Sequence, residues 1–180
     1  TVSEPTTEPT PDAAPALRED VRFADMPLSE AARAGIAALG YEIATPVQAA
    51  VFEVALSGQD LMVQSKTGTG KTTAFGLPLV EKIDVERDQV DPQALVLCPT
   101  RELAMQVSEE IAELGDPKGV RVLPIYGGTP MNPQLNALKA GCDVVVGTPG
   151  RVLDHIRRRT LRLVHARSEE HTSELQSHAP

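Results

Sequence analysis

Ser65-Lys66-Thr67-Gly68-Thr69-Gly70-Lys71-Thr72 stands between a short apolar run, Leu61–Gln64, and an amphipathic one, Lys71–Ile83. The octet departs from the phosphate-loop pattern GxxxxGK followed by Ser or Thr only at its first position, where Ser65 replaces glycine. Each residue type has a physical task. Gly68 and Gly70 let the backbone curl so that successive N–H groups point at phosphate oxygens. The start of the following helix adds partial positive charge. Lys71 supplies a point charge for terminal phosphates, and Thr72 offers a hydroxyl to Mg²⁺. The loop alone implies a nucleotide phosphate and says nothing of the reaction.

Working outward, short apolar runs alternate with amphipathic ones. Leu61–Gln64, Ala94–Cys98, Val120–Ile125 and Asp143–Val146 read as strands. Lys71–Ile83, Arg101–Leu114, Asn132–Ala140 and Arg151–Arg159 read as the helices that follow them. Strand then helix, four times over, predicts an α/β fold: a parallel sheet with helices on both faces. Upstream, Ser29–Leu39 is a helix capped by Ser29 and stopped by Gly40. Thr45-Pro46 opens another through Leu56, with Thr as cap and Pro at the first helical position. Thr1–Ala16, rich in Pro, Thr, Glu and Ala, reads as a disordered tail.

Five motifs in order resemble those of the first RecA-like domain of DEAD-box RNA helicases. They are Gly40-Tyr41-Glu42-Ile43-Ala44-Thr45-Pro46-Val47-Gln48, the phosphate loop, Pro99-Thr100-Arg101-Glu102-Leu103-Ala104, Gly127-Gly128, and Thr148-Pro149-Gly150-Arg151. Two departures are small: Ala44 replaces a common proline, and Ser65-Lys66 replaces the usual Ala-Gln. The resemblance implies ATP and Mg²⁺ as cofactors. It implies that Gln48 reads the adenine edge, Phe23 stacks on the base, Tyr41 lies nearby, and Thr67–Thr72 hold phosphates, with Lys71 and Thr72 catalytic. A Gln amide offers the donor and acceptor that adenine N6 and N7 require. Out of that context, Gln48 would be an exposed helix residue and Phe23 a core anchor.

The remaining motifs are implied to grip an RNA sugar-phosphate backbone: Pro99, Thr100, Arg101, Gly127, Gly128, Thr148, Pro149, Gly150 and Arg151. A Thr cap and helix start at the carboxyl end of a parallel strand make a phosphate site without base readout. The alternative for the arginines is pairing with Glu102 or Asp154. Arg157-Arg158-Arg159 reads as a solvated helix end, and His155 and His165 have no partner at ligand spacing.

Composition sets limits. The 180 residues are 41% apolar and 23% charged, as in soluble globular chains. No apolar run approaches the ~20 residues of a membrane span, and Thr1–Asp20 is no signal peptide. The net charge is -8, but Glu4, Glu8, Asp12, Glu19 and Asp20 crowd into the start, and the body from Val21 to Ala166 is near neutral. RNA contact would therefore be local, not the work of a strongly basic domain. Cys98 and Cys142 form no CxxC pair and read as small buried side chains in a reducing cytosol.

Three segments follow: an acidic tail over 1–20, a partial RecA-like domain over 21–166, and 167–180. Arg167-Ser168-Glu169-Glu170-His171-Thr172-Ser173-Glu174-Leu175-Gln176-Ser177 resembles the conceptual translation of a DNA-sequencing adapter. The Asp-Glu-Ala-Asp run that names the family is not among the 180 residues. The expectation is an incomplete sheet, open beside the PTRELA strand, and a chain that neither turns over ATP nor unwinds RNA. The alternative from another class is a non-catalytic RecA-like module that holds nucleotide or RNA. A P-loop kinase is a third reading, which would need neither Gln48 nor Thr148–Arg151.

Overall fold

The computed structural model describes residues 21–66, 68–88, 90–163 and, as backbone, 167–170. The expectations for the acidic start, Thr67, His165 and the run from His171 onward lie outside these residues.

The first two helices begin where their caps dictate. Helix α1 is Glu30–Ala38, and the Ser29 hydroxyl accepts from the Ala32 N–H at 3.2 Å. Helix α2 is Pro46–Ser57, with Thr45 as cap and Pro46 in the first turn. Such a cap contributes about 1 kcal/mol by satisfying a helix-start donor. Before each helix lies a two-residue strand, β1 (Val21–Arg22) and β2 (Ile43–Ala44), paired antiparallel. Strands this short carry no readable periodicity, and the sequence gives no sign of them.

Strands β3 (Ala94–Leu97), β4 (Val122–Ile125) and β5 (Val144–Gly147) form a parallel sheet with β6 (Arg167–Glu170), in the order β4-β5-β3-β6. Helices α3 (Lys71–Lys82), α4 (Arg101–Gly115), α5 (Met131–Ala140) and α6 (Pro149–Arg157) complete the fold. Alternate strand residues go to opposite faces. Ala94, Val96, Val144 and Val146 join the larger core beneath α1, α3 and α4 with Ile36, Val80 and Ile111. Leu95 and Val145 join the other core with Leu138 of α5 and Val152 of α6. Both faces are covered, which is why these strands are uninterrupted apolar runs. Each valine of Val144–Val146 is fully buried, contributing about 1.5–3 kcal/mol before its entropy cost.

Two expectations are corrected. Leu61–Gln64 forms no strand; Leu61 and Val63 are exposed and Met62 is 100% exposed. An apolar run becomes a strand only against a neighbour that pairs its backbone, and no described strand lies beside this one. The sheet is also not open beside β3, because β6 pairs there, Ala94 opposite Arg167 through Leu97 opposite Glu170. A ladder is made by main-chain groups, so a polar segment can supply it. Thr148 occupies the cap position of α6 without making a side-chain cap bond.

The Leu61–Val63 run is an exposed apolar segment of the kind that recruits other chains. Met62→Lys is expected to slow aggregation, followed by light scattering, with the melting temperature unchanged. Equal aggregation rates would exonerate this segment. Among the described residues, no helix is long and apolar enough to cross a membrane.

Candidate nucleotide and nucleic-acid site

The start of α2 holds the phosphate loop. Thr45 and Gln48 form a reciprocal capping box: Gln48 N–H donates to the Thr45 hydroxyl at 3.4 Å, and Thr45 N–H donates to Gln48 Oε1 at 2.8 Å. Both side chains thus serve the helix as acceptors, which leaves their donors free to turn the other way. The Thr45 hydroxyl donates to the Thr69 carbonyl at 2.9 Å, and Gln48 Nε2 donates to the Gly70 carbonyl at 3.2 Å. Pulling two successive carbonyls toward α2 leaves the opposite side of the loop to N–H groups.

Gly68 and Gly70 have φ of 77° and 76°, the left-handed conformation that glycine adopts without strain. A Cβ on Gly70 would also lie 2.3 Å from Gln48 Nε2. Gly70 caps α3 without a side-chain bond, so the first N–H groups of the helix are open to an anion. Lys71 Nζ donates to the Ser65 carbonyl at 2.6 Å, which draws the ammonium back to the first residue of the loop. The Ser65 and Thr69 hydroxyls bond at 2.8 Å, and the Thr69 hydroxyl donates to the Lys66 carbonyl at 2.9 Å.

Gln48 is 5% exposed, not a surface residue, and Phe23 is 3% exposed within the larger core. Phe23 packs within that core, and its backbone N–H donates to the Glu42 carbonyl at 3.1 Å. Tyr41 is exposed, and Thr72 half-buried at the start of α3.

The other motifs meet through strand register. Leu97 of β3 and Ile125 of β4 both stand opposite Gly147 of β5. The residues that follow these three, Pro99–Arg101, Gly127-Gly128 and Thr148–Arg151, therefore emerge at one edge of the sheet. Pro99, Thr100, Arg101, Gly127, Gly128, Pro149 and Gly150 are all exposed there. The Thr100 hydroxyl caps α4 by accepting from the Leu103 N–H at 3.2 Å.

Neither arginine takes a described acid as its partner. The Arg101 guanidinium lies 4.8 Å from the centre of the Tyr126 ring, a cation–π contact. Arg151 donates twice to the Thr129 carbonyl at 3.1 Å and once to Gln134 Oε1 at 3.3 Å. Tyr126, Thr129 and Gln134 are absent from the motif-based expectation. Their signal is geometric, because they touch the motif arginines only once β4, β5 and β3 lie side by side. The capping box, by contrast, was available in the sequence as Thr45-x-x-Gln48.

His155 is fully buried on α6. Its Nε2 faces Gln134 Oε1 at 3.1 Å and its Nδ1 faces the Thr160 hydroxyl at 2.9 Å. Gln134 Nε2 must point at the Tyr126 carbonyl, which can only accept, so Gln134 Oε1 faces His155. His155 therefore carries a proton on Nε2, while the Thr160 hydroxyl, 2.9 Å from Nδ1, donates to the His155 backbone carbonyl at 3.0 Å. Burial pushes its pKa down; Arg151 and Arg158 add to this, and Asp154 opposes it.

The folded pKa thus lies below the unfolded value near 6.5, so the unfolded chain takes up a proton first. His155 stabilises the fold fully above pH ~6.5, and that contribution is lost as pH falls toward the folded pKa. Between pH 7 and 5.5 the melting temperature of the wild-type chain should fall more than that of His155→Gln. Parallel slopes would show that this histidine does not titrate between states. Cys98 and Cys142 are both buried, and burial raises their thiol pKa values to about 11 and about 12, which makes them poor nucleophiles.

The sequence profile of the DEAD/DEAH box helicase family matches residues 45–171. A DEAD-box ATP-dependent RNA helicase CshA of Bacillus cereus is 51% identical over 141 residues, 78% of this chain and 26% of that protein. The protein of the same name from Bacillus subtilis is 52% identical over 143 residues, 79% of this chain and 28% of that one. The chain thus spans little more than a quarter of these relatives. A crystal structure of a DEAD box protein from the hyperthermophile Methanococcus jannaschii superposes with a TM-score of 0.76 at 39% identity, covering 83% of this chain and 40% of that one. The phosphate loop gripped by a helix cap, and the strand tips beside one another, are thus embedded in a chain whose sequence and RecA-like fold both place it in the DEAD/DEAH box helicase family.

Proposed function

We propose that this chain is the ATP-gripping first RecA-like portion of an ATP-dependent RNA helicase. The observation that carries the reading is the double hold of Thr45 and Gln48 on the Thr69 and Gly70 carbonyls. It ties an adenine-reading amide to the loop that would bind the phosphates. Gln48 Oε1 and Nε2 each have one described partner, and each can serve one more. That spare acceptor and donor suit the N6 amine and N7 of adenine. Phe23, buried in the larger core, and the exposed Tyr41 are proposed to contact the base beside Gln48.

The residues fit a nucleotide triphosphate. The α3 start is uncapped by any side chain, the loop glycines are left-handed, and Lys71 lies within the loop. When bound, ATP with Mg²⁺ supplies the transferable phosphoryl group and the charge that must be neutralised. The chain's own part is to orient phosphates with backbone N–H groups, to counter their charge with Lys71, and to present the Thr72 hydroxyl to the metal. Among the described residues, no cluster of three His, Cys, Asp or Glu side chains is gathered for a metal ion. In this proposal Mg²⁺ is held by Thr72 and nucleotide oxygens. The proposal is that the chain as given binds ATP without turning it over, since the Asp-Glu-Ala-Asp run is not among its 180 residues.

The sheet edge carrying Thr100, Arg101, Gly128, Thr148 and Arg151 is proposed to hold an RNA backbone, independent of base sequence. The proposal includes a cytoplasmic parent protein, and 167–180 as a segment foreign to it. In a binding assay with non-hydrolysable analogues, the chain should prefer ATP over GTP, and Gln48→Ala should abolish that preference. Equal affinity of the wild-type chain for both bases would overturn the adenine assignment.

A further inference from the structure

Arg101 and Arg151 leave different strand tips, yet both are steadied from behind by one side chain. Gln134 of α5 is buried, and its amide has two N–H groups and two acceptor positions. All four are used. Oε1 accepts from Arg151 at 3.3 Å and from His155 Nε2 at 3.1 Å. Nε2 donates to the Tyr126 carbonyl and to the Thr129 hydroxyl, each at 3.0 Å. Thr129 in turn presents its carbonyl to two N–H groups of Arg151. Tyr126 presents its ring to Arg101. The amide therefore fixes both ends of the Tyr126–Thr129 turn, and through them both guanidinium groups.

We propose that Gln134 is a positioning residue for the phosphate-gripping edge, its amide oriented by the buried His155 so that it holds Arg101 and Arg151 at a set separation. A backbone amide-rich edge needs its two cations placed together, because each phosphate contact counts only if the strand reaches both. A leucine at 134 fills the same space but leaves the Tyr126 carbonyl, the Thr129 hydroxyl and one Arg151 N–H without this partner. His155 acts one step further back. It offers Gln134 Oε1 the Nε2–H that keeps the amide from turning over. His155→Gln retains a donor at that reach and His155→Leu does not. The inference rests on the RNA reading above.

The test is fluorescence anisotropy of a labelled oligouridine RNA with the 180-residue chain, across a series of KCl concentrations, with a thermal melt of each variant. Gln134→Leu should weaken binding ~10-fold and flatten the plot of log affinity against log salt by ~0.7 or more, one phosphate contact on a single strand. In an Arg101→Ala/Arg151→Ala background the same change should cost less than ~2-fold, since it acts through those arginines. His155→Leu should follow Gln134→Leu with a smaller loss, and His155→Gln should stay near wild type.

A loss of equal size in both backgrounds overturns the proposal, because the amide would then act independently of the arginines. Wild-type affinity and salt slope in Gln134→Leu overturn it as well, while leaving the RNA reading intact. No RNA affinity in the wild-type chain overturns the RNA reading and this inference together. Should Gln134→Leu fail to fold, the two His155 variants decide: equal binding by His155→Leu and His155→Gln rejects the proposal.

Discussion

Lys71→Ala should lower affinity for a non-hydrolysable ATP analogue by 100-fold or more while leaving the melting temperature within a degree or two of wild type. Lys71 Nζ bonds the Ser65 carbonyl at 2.6 Å, so its side chain is already folded back along the loop that would receive the phosphates. A hydrogen bond to a charged group contributes about 1.5–3 kcal/mol, and this ammonium has three donors to distribute over adjacent phosphates. Two such bonds lost together correspond to ~10²–10⁴ in affinity. The fold should be indifferent, because Lys71 is half-buried and its described bond is to a loop carbonyl. Lys71→Arg separates charge from shape. A planar fork does not replace a compact ammonium in a tight loop, so arginine should restore only part of the affinity. Unchanged analogue binding in Lys71→Ala would remove the basis for placing a triphosphate here.

Gly35→Ala is expected to cost about 3 kcal/mol or more, a fall of roughly 10 °C in melting temperature for a chain of this size. On propensity alone the change should help, since alanine favours helix over glycine by ~1 kcal/mol. Packing reverses the sign. A Cβ on Gly35 would lie 2.1 Å from the Leu114 carbonyl oxygen and 3.0 Å from its carbonyl carbon. Those are backbone atoms of α4, which no rotamer change can move aside. Helix α1 would have to lift from α4, uncovering Ala32 and Ile36, which are both buried. Gly76→Ala in α3 is the matched control. Its Cβ would meet the Ile111 and Leu114 side chains at 3.5 and 3.6 Å, ordinary contact distances, so it should be neutral or slightly stabilising. Calorimetric melts of the two variants should diverge; a shared small shift would mean that α1 does not sit as closely on α4 as described.

Much of the architecture is legible because it is written in local patterns. Ala94–Leu97 and Val144–Gly147 are apolar without interruption, and both sheet faces prove to be covered. Ser29, Thr45 and Thr100 announce helix starts because a hydroxyl there satisfies a donor within four residues, a short-range effect. Leu61–Gln64 is misread for a complementary reason. Its composition is that of a strand, but strandedness belongs to a pair of segments, and composition describes one. The site divides likewise. The glycines and Lys71 of the phosphate loop are contiguous and can be read directly. The ring beneath Arg101 and the amide beside Arg151 come from a turn and a helix brought near only by the β4–β5 and β3–β5 ladders. In its own stretch His155 meets the Thr160 hydroxyl, which by itself points to no role. Its meaning lies 21 residues away, at Gln134.

The shared register of Leu97, Gly147 and Ile125 fixes a length as well as a location. Neighbouring strands lie ~4.8 Å apart, so three adjacent tips span about 10 Å. Each nucleotide of a duplex strand advances ~3.4 Å along the helix axis, so a ruler of that width laid along the axis covers about three. A polynucleotide laid across this edge would be gripped over a very short footprint.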